Sequence, residues 1–201
     1  MKASKSAAIS LCILSGLVSR AVFGQVPAPT GSSAPTGVRA EVTRLMDDAE
    51  SKLTKLAQAI PADKYSWRPA TDARSVSEVF LHVAAANFYL PSRIGLKPPP
   101  DFKFEGYDKS TSDKTKVIDE LKKSFAHAKQ AVTSLSDADL EKNAQWFGGS
   151  QVSFRYAAMF MTAHQHEHLG QSIAYARSLG VVPPWTAEQQ QRQKQQPKPK
   201  T

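Results

Sequence analysis

Three of the chain's five histidines crowd into one short run, Ala163-His164-Gln165-His166-Glu167-His168. His164 and His168 are four residues apart. On a helix they stack on one face, with Cβ atoms about 5–6 Å apart. From there two imidazole nitrogens can converge on one ion at the ~2.0–2.1 Å that zinc ligation requires. Ala157, Met161, Gln171 and Tyr175 share that face, so it looks inward. A single inward histidine reads as a hydrogen-bonded core residue. Two stacked ones each need a polar partner, and burying both in charged form is costly. His82 adds a third, placed between Val79 and Ala86 on a separate apolar stripe. A histidine pair from one helix and a single histidine from another is a common way to build a three-ligand site inside a bundle.

The remaining polar candidates divide by face. His166 is rotated by about 200° from His164 and belongs to the opposite, solvated side. His127 sits among Glu120, Lys123 and Ser124 and reads as a surface residue. Glu167 lies at the edge of the inward face, where it is either a general base for metal-bound water or an exposed helix charge. The acid does not directly follow His164, so a His-Glu-x-x-His metalloprotease helix is not supported. Gln171 can hold a ligand atom or orient a ligand, or it can serve as a helix–helix hydrogen bond. Tyr175 and Tyr89 either line a pocket or pack in the core. Three neutral imidazoles leave a metal with open positions, as in catalytic sites. The ion would lower the pKa of a bound water or thiol and act on a small-molecule substrate. A divalent metal is expected, zinc first and nickel second, because ligand softness does not separate the candidates.

Four helical patterns position these residues. In the first, Val42, Leu45, Met46, Ala49, Leu53, Leu56, Ala57 and Ile60 recur at steps of three and four until Pro61. The second starts at Ser75-x-x-Glu78, which has the form of a capping box, and continues through Val76, Val79, Phe80, Val83 and Ala86 to about Pro91. A third spans about 112–135 with Ile118, Leu121, Phe125, Ala128, Val132 and Leu135 in near-heptad spacing. The fourth spans about 153–179, closed by Gly180 and Pro183-Pro184. Residues 97–109, with three consecutive prolines, form a long connection. No strand pattern stands out. The expected fold is all-α, an antiparallel or crossed four-helix bundle.

Composition bounds the partners. The chain has 201 residues and a net charge of +8. Three positive charges in the first 24 residues and a net three after Trp185 leave the body at +2. A nucleic-acid-binding core would keep its charge, so no nucleic acid is expected. Residues 1–24 read as a signal peptide: Lys2 and Lys5 precede an apolar stretch too short to span a bilayer, and Val22 and Gly24 suit cleavage before Gln25. Cys12, the only cysteine, lies within that leader. The mature chain then has no disulfide, no thiolate nucleophile and no membrane anchor. It is expected to be exported, periplasmic or secreted. Residues 25–37, uncharged and rich in Pro, Gly, Ser and Thr, are a disordered linker. Residues 38–185 form the folded domain. Residues 186–201, rich in Gln, Lys and Pro, are expected to be a disordered basic tail.

At the level of whole segments the chain resembles the DinB-like superfamily. The resemblance is carried by Ile60-Pro61-Ala62-Asp63-Lys64-Tyr65-Ser66-Trp67-Arg68-Pro69 followed by Ser75 to Ala84, and by His164-x3-His168-Leu169-Gly170-Gln171 running on to Tyr175-Ala176-Arg177 and Gly180-Val181-Val182-Pro183-Pro184. It implies a four-helix bundle in which a histidine of the second helix and two of the last bind a divalent metal. His82, His164 and His168 fall on those positions. Many relatives carry two adjacent histidines and an arginine before the Gly-Gln pair; here Glu167-His168 and Leu169 stand there. The activities implied are varied: thiol-dependent S-transfer, thiol-dependent isomerisation and metal-dependent hydrolysis. Relatives often form dimers. The alternative to an enzyme is a non-catalytic metal or small-ligand binding module of the cell envelope.

Overall fold

The structure, a computed structural model, describes residues 36–195. The leader 1–24, most of the linker 25–37 and the last six residues lie outside the described residues. α1 (Gly37–Ala59) buries Val42, Met46, Ala49, Leu53, Leu56 and Ala57 along one stripe. Leu45, expected on that stripe, is 48% exposed at its edge. Ile60 and Pro61 end the helix, and Lys114 Nζ caps it by donating to the Gln58 and Ile60 carbonyls at 2.7 Å each. The buried Tyr65 hydroxyl donates to Ala57 O at 2.7 Å and ties the following 3-10 turn (Ala62–Lys64) back onto α1.

α2 (Val76–Tyr89) begins on the capping box foreseen from the sequence. Ser75 N donates to Glu78 Oε2 at 2.9 Å, and Glu78 N donates to Ser75 Oγ at 3.3 Å. Eleven of its fourteen residues are buried, so α2 is the central helix, and Ala84-Ala85-Ala86 lets its neighbours come close. A 3-10 turn (Leu90–Ile94) follows where Pro91 interrupts the helix. α3 (Lys114–Thr133) starts at Asp113, whose carboxylate accepts from Lys116 N at 2.9 Å. α4 (Phe154–Ser178) starts at Ser153, whose hydroxyl accepts from Tyr156 N at 3.1 Å. It stops at Gly180, where φ is +75° and the chain turns back so that Val181 N donates to Ala176 O at 2.8 Å.

α1 and α2 each pack on α3 and on α4. α1 and α2 therefore occupy opposite corners, as do α3 and α4, and the expected bundle takes its crossed form. Two apolar clusters fill it, one around Leu53, Phe80, Leu121 and Phe125 and one around Met46, Val132, Leu140 and Met161. Where they meet, Gln165 Nε2 donates to Asn87 Oδ1 at 2.8 Å and Asn87 Nδ2 donates to Ser124 Oγ at 3.3 Å, all three side chains buried.

Two features depart from the sequence reading. A small antiparallel hairpin, β1 (Asn143–Gln145) paired with β2 (Gln151–Ser153), precedes α4. Its strands are too short to show alternation, and its turn rests on Gly148 and Gly149 at φ of +67° and +79°. The expected disorder from 186 onward gives way to α5 (Pro184–Gln195), which buries no residue. Pro184 pre-sets the first helical φ, Trp185 packs on the edge of the apolar core, and Ala, Glu, Gln, Arg and Lys are all good helix formers, so the segment is helical although it buries no residue fully.

Candidate metal centre

The inward stripes of α2 and α4 face each other, and they bring His82, His164 and His168 together. Their ring centroids lie 5.1 Å (His82–His164), 4.7 Å (His82–His168) and 4.5 Å (His164–His168) apart. One nitrogen from each falls within 4.8 Å of the others. His82 Nε2 and His164 Nε2 are separated by 3.2 Å. Two nitrogens bound at ~2.0–2.1 Å with a tetrahedral angle would sit about 3.3 Å apart, so the pair already has the spacing of a ligated one. The three imidazoles fit a divalent ion in number, donor type and spacing.

Electrostatics keep His82 and His164 in the ligating form. Burial, followed by the Arg74 guanidinium and the other two histidines, pushes His82 down to about 3. Burial, then His168, then Arg74, pushes His164 down to about 4. Both are neutral at pH 7, and only neutral imidazole ligates.

His168 is oriented from behind. Its Nδ1 lies 2.8 Å from Gln171 Oε1, which assigns the proton to Nδ1 and leaves Nε2 for the metal. Gln171 is fixed in turn, because its Nε2 donates to the Tyr175 hydroxyl at 3.1 Å. Tyr175 is buried, with its ring edge-on to Trp67 at 5.5 Å. Gln171 and Tyr175 thus stand behind the site as a positioning chain.

The other candidates lie elsewhere. Glu167 is exposed, and among the described residues no carboxylate joins the three-histidine group. His166 turns toward α1, with Nδ1 2.9 Å from Thr162 O and Nε2 3.6 Å from Asp48 Oδ2; it is half-buried rather than fully solvated. His127 is half-buried rather than a solvated surface residue. Its ring packs on Phe88 at 5.6 Å, its Nε2 is buried without a partner, and burial lowers its pKa against an opposing hydrogen bond with the Phe88 carbonyl. Its polar helix neighbours gave no sign that α2 covers it.

A cavity of about 330 Å³ opens beside His82 and His164. α2 contributes Ala86 and Tyr89 to its wall and α4 contributes Phe160, while Phe104 comes from the long connection and Phe147 from the hairpin turn. Four larger depressions, about 350, 360, 560 and 590 Å³, are lined by none of the three histidines. Phe160 was missed, although its place four residues before His164 on the same stripe was an available signal. Phe104 and Phe147 were missed too and carried no such signal, since neither belongs to a periodic segment. Arg74 was also missed; nothing in its local sequence ties it to the histidines.

The sequence matches the DinB superfamily over residues 45–172. Among curated proteins none matches. The fold is similar to a DinB-like protein of Bacillus cereus, with a TM-score of 0.62 at 19% identity over 71% of this chain and 93% of that one. It is similar to YfiT of Bacillus subtilis, described as a probable metal-dependent hydrolase with an unusual four-helix bundle topology, with a TM-score of 0.61 at 13% identity over 77% and 95% of the two chains. The DinB-like YjoA of Bacillus subtilis gives a TM-score of 0.57 at 19% identity over 71% and 93%. The crossed bundle and the match across most of the folded region lead to one conclusion: the chain belongs to the DinB superfamily.

Proposed function

We propose that the protein is a metal-dependent enzyme that binds one divalent ion on His82, His164 and His168 and acts on a small molecule, with hydrolysis first and thiol-dependent transfer second. The observation that carries this reading is the convergence of three imidazoles beside a cavity that His82 and His164 themselves line. Zinc is the first candidate ion and nickel the second. Such an ion supplies Lewis acidity and a nucleophile at neutral pH. The chain's own residues do the rest. The Gln171–Tyr175 pair holds His168 in one tautomer, and the apolar wall excludes water. The Tyr89 hydroxyl oxygen accepts from Arg93, which leaves its proton free for a ligand in the cavity. The leader supports export, and exported protein meets little of the thiol pool kept in the cytosol, which is why hydrolysis ranks first.

One observation favours a binding module instead: among the described residues no carboxylate joins the histidines as a general base. Metal-loaded protein assayed on esters, amides and thiol–acceptor pairs separates the two. Turnover that disappears in His82→Ala supports the enzyme. Tight retention of a compound without product, with His82→Ala matching wild type in every assay, overturns it.

A further inference from the structure

The wall of the metal-side cavity has one chemical character. Beyond His82, His164 and Tyr89 it is Ala86, Leu90 and three phenylalanines, with no charged side chain. A charged group placed there would lose its hydration with the Tyr89 hydroxyl as its one polar partner outside the histidines. The three phenylalanines come from three separate parts of the chain: Phe104 from the connection before α3, Phe147 from the hairpin turn and Phe160 from α4. Neighbouring side chains hold each in place. Phe104 packs on Tyr89 at 4.9 Å, while the buried Trp146 packs on Phe147 at 5.0 Å and on Phe160 at 5.2 Å. The Arg93 guanidinium lies over both the Tyr89 ring (5.1 Å) and the Phe147 ring (5.7 Å), which ties the hairpin turn to the end of α2. Phe104 and Phe147 are nevertheless 48% and 49% exposed, so each presents an apolar face at the mouth of the site.

Size narrows the ligand further. The cavity is about 330 Å³, roughly twice the ~150 Å³ that accepts benzene in a dry protein cavity. Charged groups have a different place. A depression at Gln171 is lined by Arg68, Arg74, Lys109, Asp72, Glu78 and Asp108.

We propose that the cavity beside His82 and His164 selects ligands with an uncharged, apolar body of about two fused rings or a ring and short chain, and that Phe104, Phe147 and Phe160 are its specificity-determining residues. The claim that this ligand is the substrate rests on the proposed metal-dependent function. The claim about the cavity does not.

Two binding experiments keep these apart. On metal-free protein, titration calorimetry compares 2-naphthol with 2-naphthoate, which is anionic at pH 7. The expected result is that 2-naphthol binds at least about tenfold more tightly, the order of discrimination that apolar pockets give. Phe104→Ala and Phe147→Ala, both at exposed positions, should each weaken 2-naphthol several-fold while leaving the melting temperature near wild type. Phe160→Ala should weaken it too, with circular dichroism to verify folding. Equal binding of the two probes, no binding of 2-naphthol, or no effect of Phe104→Ala and Phe147→Ala together overturns the proposal. On zinc-loaded protein, acetohydroxamate is compared with 2-naphthohydroxamate. The naphthyl compound should bind at least about tenfold more tightly, the Phe104→Ala/Phe147→Ala double variant should erase the difference, and His164→Ala should abolish binding of the acetyl compound. If both hydroxamates bind equally, the cavity proposal fails and the metal reading stands. If neither binds while 2-naphthol still does, the metal reading fails and the cavity proposal stands.

Discussion

At the scale of single residues, His82 and His164 trade stability for a ready ligand pair. Held down to about 3 and about 4, His82 and His164 stay neutral in the folded chain where the unfolded chain is protonated. Unfolded imidazoles titrate near ~6.5. As pH falls from there toward about 4, the unfolded chain takes up protons that the folded chain refuses. Stability is therefore fully present above the unfolded value and is lost through that window. Urea unfolding of metal-free protein between pH 7 and 4 should show a steeper loss for wild type than for His82→Ala/His164→Ala. Equal slopes would mean that the imidazoles are not held neutral. Gln171 acts on metal affinity through His168. Competition with a chromophoric chelator should show Gln171→Ala binding zinc about 10–100-fold more weakly, the usual range for a residue that orients a ligand; an unchanged affinity would leave Gln171 as a helix-packing residue. The ligand stripe was legible because 3.6-residue periodicity puts 82, 164 and 168 among apolar neighbours. His127 was misplaced because its polar neighbours lie along its own helix, while the group that covers it, Phe88, arrives from α2.

At the scale of elements, α2 is the helix whose placement matters most, since it delivers His82 and one wall of the cavity. Its start rests on the reciprocal Ser75–Glu78 bonds, with Arg68 Nη2 donating to the second Glu78 oxygen at 2.8 Å. Ser75→Ala should lower unfolding stability by about 1 kcal/mol in urea titration, and fraying just ahead of His82 should weaken zinc binding in the same variant. Lost stability with unchanged zinc affinity would show that the cap stabilises the helix without positioning the ligand. Caps, prolines and apolar stripes made the four helices readable almost to the residue; α4 begins at Phe154 and ends at Ser178. The hairpin was unreadable from strand pattern, because each strand has three residues and only Ala144 is fully buried. The Gly148-Gly149 pair was its available signal. The hairpin supplies Phe147, so part of the site's chemistry lay in the least periodic part of the chain.

At the scale of the whole molecule, the crossed topology sets α2 against α4 and so creates a site from residues 82 positions apart. The buried Asn87–Ser124–Gln165 network lies five residues past His82 on α2 and directly after His164 on α4, and it ties those two helices to each other and to α3. Among the described residues no helix is long and apolar enough to cross a membrane. We propose, from the leader, that the protein works outside the cytosol; antibody detection of the tag-free protein in fractionated cells checks this, with retention in the cytosolic fraction as the opposing result. The central claim is that His82, His164 and His168 act together as one metal centre while His166 and His127 do not. Its most direct test is elemental analysis of tag-free protein, reconstituted with zinc or nickel and desalted, for wild type and the five single histidine-to-alanine variants. The expected result is one ion per chain in wild type, His166→Ala and His127→Ala, and almost none in His82→Ala, His164→Ala and His168→Ala. Wild type without metal, or a site emptied by His166→Ala but filled in His164→Ala, would contradict it.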